Sequence, residues 1–243
     1  MGSLLNQLGR HREALPHAEA AAYAQPQNVM YRYNRGLVLA EVGRFEAAVA
    51  DFDFALSQRP GLAYAYLERG GARASLGDMA AARADFARAR AAEPKLVWCD
   101  WYDATADVVE GRFHSAVERF AKVAADQPGF APAKLWSALT LARAGRPATL
   151  PASAGPAWPV PALAYIAGAI DTDALIAAAR RDVLSGDQRR LGEAYFVIAQ
   201  RELSACRPST ARLWLERALA VSAPRHAWKL AAERDLRRAL AAG

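Results

Sequence analysis

The sequence predicts an all-α fold: an α-solenoid in which antiparallel helix pairs wind into a right-handed superhelix, with one irregular insertion and a C-terminal capping helix. Gly9, Gly43, Gly77, Gly111 and Gly145 stand 34 residues apart. Ala14, Ala48, Ala82 and Ala116 keep the same step, as do Pro26, Pro60, Pro94 and Pro128, and Phe52, Phe86 and Phe120. Four registers sharing one period mark an internal repeat of about one helix pair. Alanine dominates the composition and alternating runs of Val, Ile and Thr are scarce, so helix is the default local structure.

Each repeat reads the same way. A first helix ends at the glycine, which takes the left-handed conformation without a Cβ penalty. A second helix turns its alanine and phenylalanine toward neighbouring helices, and the proline stops it. One such hairpin cannot bury its own apolar face, so repeats must stack. Residues 1–28 form a partial repeat, 29–62, 63–96 and 97–130 are complete, and 131–145 supply the first helix of another, giving an array over 1–145. The period then breaks. Residues 146–161 contain five prolines and read as a loop or extended crossing. Two short helices follow near 161–169 and 172–184, which makes 146–191 the insertion. From 192 the repeat returns in weakened form, with Tyr195, Ala199, Ala211 and Ala218 in register and Cys206 in the glycine position. A last helix near 225–241 caps the stack, completing 192–243.

The glycine, alanine, aromatic and proline at these offsets resemble the tetratricopeptide repeat (TPR). The broader layout also resembles the NlpI-like bacterial lipoprotein family. Leu135-Trp136, Trp158-Pro159 leading into Ala164-Tyr165-Ile166-Ala167-Gly168, and Glu193-Ala194-Tyr195-Phe196 carry that likeness. It implies a bacterial, non-catalytic adaptor that docks cell-envelope hydrolases or proteases, often as a homodimer, in the periplasm or on the envelope. The family's lipid-bearing N-terminal cysteine is absent here; without the resemblance, the cytoplasm is the default compartment.

The repeat resemblance further implies that first helices line a concave groove, mainly through their second, fifth, ninth and twelfth residues. Met30, Tyr33, Leu37 and Ala40 fall there in one repeat, Tyr64, Leu67, Gly71 and Ala74 in the next, then Trp98, Trp101, Thr105 and Val108. Asn34, Glu68 and Tyr102 lie beside the stripe. Steps of three and four keep each set on one helix face. The stripe is apolar and aromatic, not basic, so a clamp for an acidic chain terminus is excluded, and recognition of a peptide or helix through apolar anchors is expected. Tyr64, Trp98, Trp101 and Tyr102 could together present about 600 Å². A patch of that size asks for a cover: a partner protein, a second copy, or this chain's own Pro-rich segment or last helix.

Equivalent positions in successive first helices carry Arg35, Arg69 and Asp103, and Arg73 and Asp107. Ion pairs Arg69–Asp103 and Arg73–Asp107 are expected, and Asp100, Asp103 and Asp107 read as partners of arginine rather than of a metal. None of His11, His17, His114 and His226 stands at a spacing that gives a metal site or a catalytic pair, no phosphate-binding glycine loop occurs, and Cys99 has no local base. No enzyme activity and no cofactor are expected. Cys99 and Cys206 form no disulfide framework, no apolar run is long enough to span a membrane, and the N-terminus shows no signal-peptide pattern. Net charge is +1 over residues 1–185 and +5 over 186–243. The basic tail could attract nucleic acid or an acidic partner, but Glu193, Glu202 and Glu216 are interspersed among its arginines, so a solvated helical surface is the expected reading.

Overall fold

The computed structural model describes residues 2–146, 157–181, 188–221 and 228–241. Among them are fourteen α-helices and no strand. They fall into two compact units, one up to Ala106 and the other from Asp107.

The N-terminal unit contains α1 (Gly2–Gln7), α2 (His11–Ala24), α3 (Val29–Glu41), α4 (Phe45–Gln58), α5 (Ala63–Ser75), α6 (Met79–Ala92) and the start of α7 (Trp98–Glu110). From α1 to α6 each helix packs on the next, and α3 also touches α5. The turn after each first helix depends on glycine: Gly9, Gly43 and Gly77 have φ of 74°, 86° and 86°. Asn28 starts α3 by accepting from the backbone N–H groups of Met30 and Tyr31, at 3.1 and 3.3 Å.

Within a pair, the phenylalanine fills a hole left by a second glycine. A Cβ on Gly36 would lie 2.8 Å from Phe52 Cε1, and one on Gly70 only 2.4 Å from Phe86 Cε1. Both rings are buried, as are Ala48 and Ala82 on the same helices. The missing side chain lets two helices of one pair close around a ring, at the density that protein cores require.

The C-terminal unit contains the end of α7, then α8 (Phe113–Asp126), α9 (Ala131–Arg143), α10 (Val160–Ile166), α11 (Thr172–Arg180), α12 (Arg189–Ser204), α13 (Pro208–Ala220) and α14 (Lys229–Ala241). Its core is a column of aromatic rings: Phe120 to Trp136 at 5.5 Å, Trp136 to Phe196 at 5.9 Å, and Phe196 to Trp228 at 5.7 Å. Such offset contacts add to the area that the rings bury. Gly192 admits the last ring, since a Cβ there would lie 2.9 Å from Trp228 Cζ2. Of the Pro-rich crossing expected over 146–161, residues 147–156 lie outside the described residues, as do 182–184 of the following helix and 225–227 of the last. Where the chain resumes, the Trp158 indole N–H donates to Glu193 at 2.7 Å, joining the end of the crossing to α12.

Cys206 ends α12 with a φ of 57°, the left-handed conformation that the earlier repeats give to glycine. A Cβ there is strained. Cys206→Gly is therefore expected to raise stability by about 1 kcal/mol, after allowing for the extra freedom glycine has in the unfolded chain, as read from urea unfolding. Burial raises the Glu193 carboxyl pKa, against the opposing effect of the Trp158 hydrogen bond. A carboxyl with a raised folded pKa loses stability as pH rises above its ordinary range. Glu193→Gln keeps an acceptor for Trp158, so the variant should gain stability over the wild type at neutral pH and lose that advantage in acid, as read from unfolding midpoints across pH.

Candidate peptide-binding groove

All nine residues expected to line the groove lie in the N-terminal unit, on α3, α5 and the first part of α7. They are not equally accessible. Tyr64 is 44% exposed and its neighbour in the stripe, Met30, is 41% exposed. Trp98, Trp101, Asn34 and Glu68 are half-buried. Asn34 makes no side-chain hydrogen bond among the described residues, so its amide is available at this face.

Four of the nine serve the packing of the unit. Leu67 is 1% exposed and packs in the core of the unit rather than on an open face. Tyr33 packs against Phe52 at 5.8 Å, and Tyr102 against Phe86 at 5.3 Å. Thr105 Oγ1 donates to the Tyr102 carbonyl at 2.8 Å. The accessible apolar surface is therefore smaller than the residue types suggest, and it centres on Met30 and Tyr64 with the margins of the two tryptophans.

Behind this face lies a layer of ion pairs. Asp51 is fully buried and accepts from Arg32 Nε at 2.5 Å and from Arg35 Nε and Nη2 at 2.6 and 2.7 Å. One repeat later Asp85, also fully buried, accepts from Arg69 Nε and Nη2 at 2.9 and 2.6 Å and from Arg73 Nη1 at 2.8 Å. Arg69 also reaches Asp53 at 2.6 Å. The expected pairs Arg69–Asp103 and Arg73–Asp107 are thus corrected. The seventh and eleventh positions of this first helix, one turn apart, face the second helix of its own pair, so Arg69 and Arg73 both turn onto Asp85 rather than onto the next first helix. Hydrogen bonding to Asp51 raises the Arg35 pKa; burial works against the Arg69 charge, and its bonds to Asp85 and Asp53 outweigh that.

The acids of α7 also bind arginine, from α6, from α8 and from the turn before α8. Arg90 meets Asp100 at 3.0 Å and Asp103 at 2.8 Å, and in the C-terminal unit Asp107 meets Arg112 at 2.8 Å and Arg119 at 3.1 Å. Among the described residues no cluster of His, Cys, Asp and Glu could hold a metal ion, and no helix is long and apolar enough to cross a membrane. Cys99 is buried and burial pushes its thiol pKa up, which keeps it a packed thiol. Sequence reasoning missed Asp51 and Asp85. Their identical place in two repeats, each sixteen residues after an arginine of the first helix, was the available signal.

The tetratricopeptide repeat family model matches residues 1–61 and 33–96. Among solved structures, a tetratricopeptide repeat protein from Parabacteroides merdae is 17% identical with a TM-score of 0.55, over 98% of this chain and 81% of its own. PilW, a type IV pilus biogenesis factor, is 17% identical with a TM-score of 0.54, over 90% and 89%. The Cut9–Hcn1 assembly of APC/C contains a chain 16% identical with a TM-score of 0.57, over 97% of this chain and 40% of that one. No curated protein matches. These likenesses show an all-helical TPR fold.

The ion-pair layer makes a sharp prediction for Asp85→Asn. Removing this buried charge leaves Arg69 and Arg73 only the half-exposed Asp53 to share and should cost about 3–5 kcal/mol. Asp53→Asn, at a half-exposed carboxylate, should cost less than about 1 kcal/mol. Chemical unfolding of the two variants separates these outcomes.

Proposed function

We propose that this chain, whose residues 1–96 carry tetratricopeptide repeats, is a non-catalytic scaffold that holds a peptide or helix of another protein along the first-helix face of α3, α5 and α7. The observation that carries this reading is the exposure of Met30 and Tyr64 on α3 and α5, at the repeat position that half-buried Trp98 holds on α7. Aromatic anchors spaced along one face suit an apolar segment, and the Asn34 amide can hold its backbone. By its likeness to the NlpI-like layout, the scaffold would serve assemblies of cell-envelope hydrolases or proteases, with the array over 1–145, the insertion over 146–191 and the degenerate repeat over 192–243 as its parts. Homodimer burial of the same face is the competing use.

A nucleic-acid role for the basic C-terminal part has less support. Arg207 pairs with Glu202 at 2.8 Å and Arg212 with Glu216 at 2.9 Å, while Arg201 and Arg217 lie over the rings of Tyr165 and Trp214 at 4.7 Å each. Arginines engaged in this way make a poor phosphate-binding stripe.

The test is partner capture by the immobilised chain and by a Met30→Ala/Tyr64→Ala variant, with size-exclusion chromatography to read oligomeric state. Both residues are exposed, so the variant should keep its helicity. Loss of an aromatic anchor should weaken a captured partner by about tenfold or more. Undiminished capture would move the binding site away from this face. A monomer–dimer difference between the two proteins would assign the face to a second copy.

A further inference from the structure

The C-terminal unit buries a polar cluster that the groove does not use. Asp235 of α14 is 2% exposed. Its Oδ2 accepts from Arg143 Nη1 at 3.2 Å and from Gln200 Nε2 at 3.0 Å, and its Oδ1 accepts from Arg234 Nε at 2.9 Å. Arg234 Nη1 donates to the Val108 carbonyl. The guanidinium groups of Arg143 and Arg234 lie over the Phe113 ring, at 4.7 and 5.3 Å. Val108, Arg143 and Gln200 come from α7, α9 and α12, so α14 lies against the first helices of this unit.

We propose that α14 is a displaceable occupant of a carboxylate-recognising site formed by Arg143, Gln200 and Phe113 and filled in cis by Asp235, and that an acidic segment of a partner protein is the ligand that replaces it. Two members of the site contact each other without help from α14. Arg143 Nη1 donates to Gln200 Oε1 at 2.8 Å, which orients the Gln200 amide so that its NH2 group faces the same point as the guanidinium. A cation and an amide donor converging on one buried point make a site for a carboxylate. Burial lowers the Arg143 pKa, the mark of a cation short of water, for which an anion at this point is the remedy.

Apart from this cluster, α14 packs on α13, and it does so through small residues. Its fully buried apolar residues are Ala231, Ala232 and Ala239, while Leu230 and Leu236 are half-buried and Leu240 is 50% exposed. Alanines remove little apolar area from water, so the polar cluster carries a large share of the docking. Trp228 is different. It is 4% exposed and stacked on Phe196, and it anchors the chain just before α14. Exchange is therefore a swing of α14 beyond a fixed Trp228. Charge complementarity names the incoming ligand, because departure of α14 leaves Arg143 without its anion.

Hydrogen exchange on the full chain tests this. In Asp235→Asn the amides of 229–241 should lose protection by tenfold or more while those of α12 and α13 keep theirs; unchanged protection of α14 overturns the proposal. The same variant should bind an added peptide of residues 228–241, and a version of it with Arg234, Arg237 and Arg238 replaced by alanine, but neither peptide once Asp235 is replaced by asparagine. Binding that ignores the aspartate also overturns it. Should circular dichroism find the variant unfolded, the wild-type chain in low urea decides. Exchange of α14 ahead of α12 and α13 supports a displaceable helix, and exchange only with the whole unit refutes it.

Discussion

A carboxylate with no access to water must be neutralised where it stands, and Asp51 and Asp85 are in that position. Each lies on the second helix of a pair and takes two arginines from the first. The pairing adds little net stability, since desolvation of three charged groups offsets most of the attraction. What it does is forbid alternatives. Any rotation or slip of α3 against α4, or of α5 against α6, would strand a charge in the core. With that face of the first helix committed, Met30 and Tyr64 are left on the opposite side, facing outward.

The glycine and phenylalanine pair works on the same register by shape. Gly36 and Gly70 accept Phe52 and Phe86 at distances that no Cβ would allow. Shape sets how closely the helices of a pair approach, and charge sets how they are turned. Both devices recur at the 34-residue period, which is why the all-helical repeat could be read from the sequence. Gly9, Gly43, Gly77, Gly111 and Gly145 all adopt positive φ, the one conformation for which spacing and residue type together leave little choice. Cys206 shows the same demand met by a residue less suited to it.

The groove was less legible, for a physical reason. Helical periodicity tells which residues share a face but not how much of that face a neighbour covers. Leu67 and Tyr102 have the residue types of a binding stripe and are used for packing, one as core and one against Phe86. The ion pairs failed similarly: identical positions in successive repeats suggested contact along the stack, while the arginines reach sixteen residues ahead within their own pair. Nor does any repeat position announce that Asp235 would meet Arg143 and Gln200, since α14 follows no repeat and its partners lie on three separate helices.

Charge reversal in the third repeat gives the pattern a further meaning. Asp103 stands where Arg35 and Arg69 stood, and Arg119 where Asp51 and Asp85 stood. A strict copy of the earlier repeats would pair an arginine of α7 with an aspartate of α8. Asp103 instead accepts from Arg90 on α6, within the N-terminal unit, and Asp100 joins it on the same guanidinium. The second helix before α7 thereby takes the role that the second helix after α3 or α5 plays for them. That ties the start of α7, with Trp98, Trp101 and Tyr102, to the N-terminal unit, and Tyr102 completes the attachment by packing on Phe86 of the same α6. The aromatic residues at the start of α7 are thus held in one unit with Met30 and Tyr64 by the acids that replace arginine on this helix and by the packing of Tyr102 on Phe86.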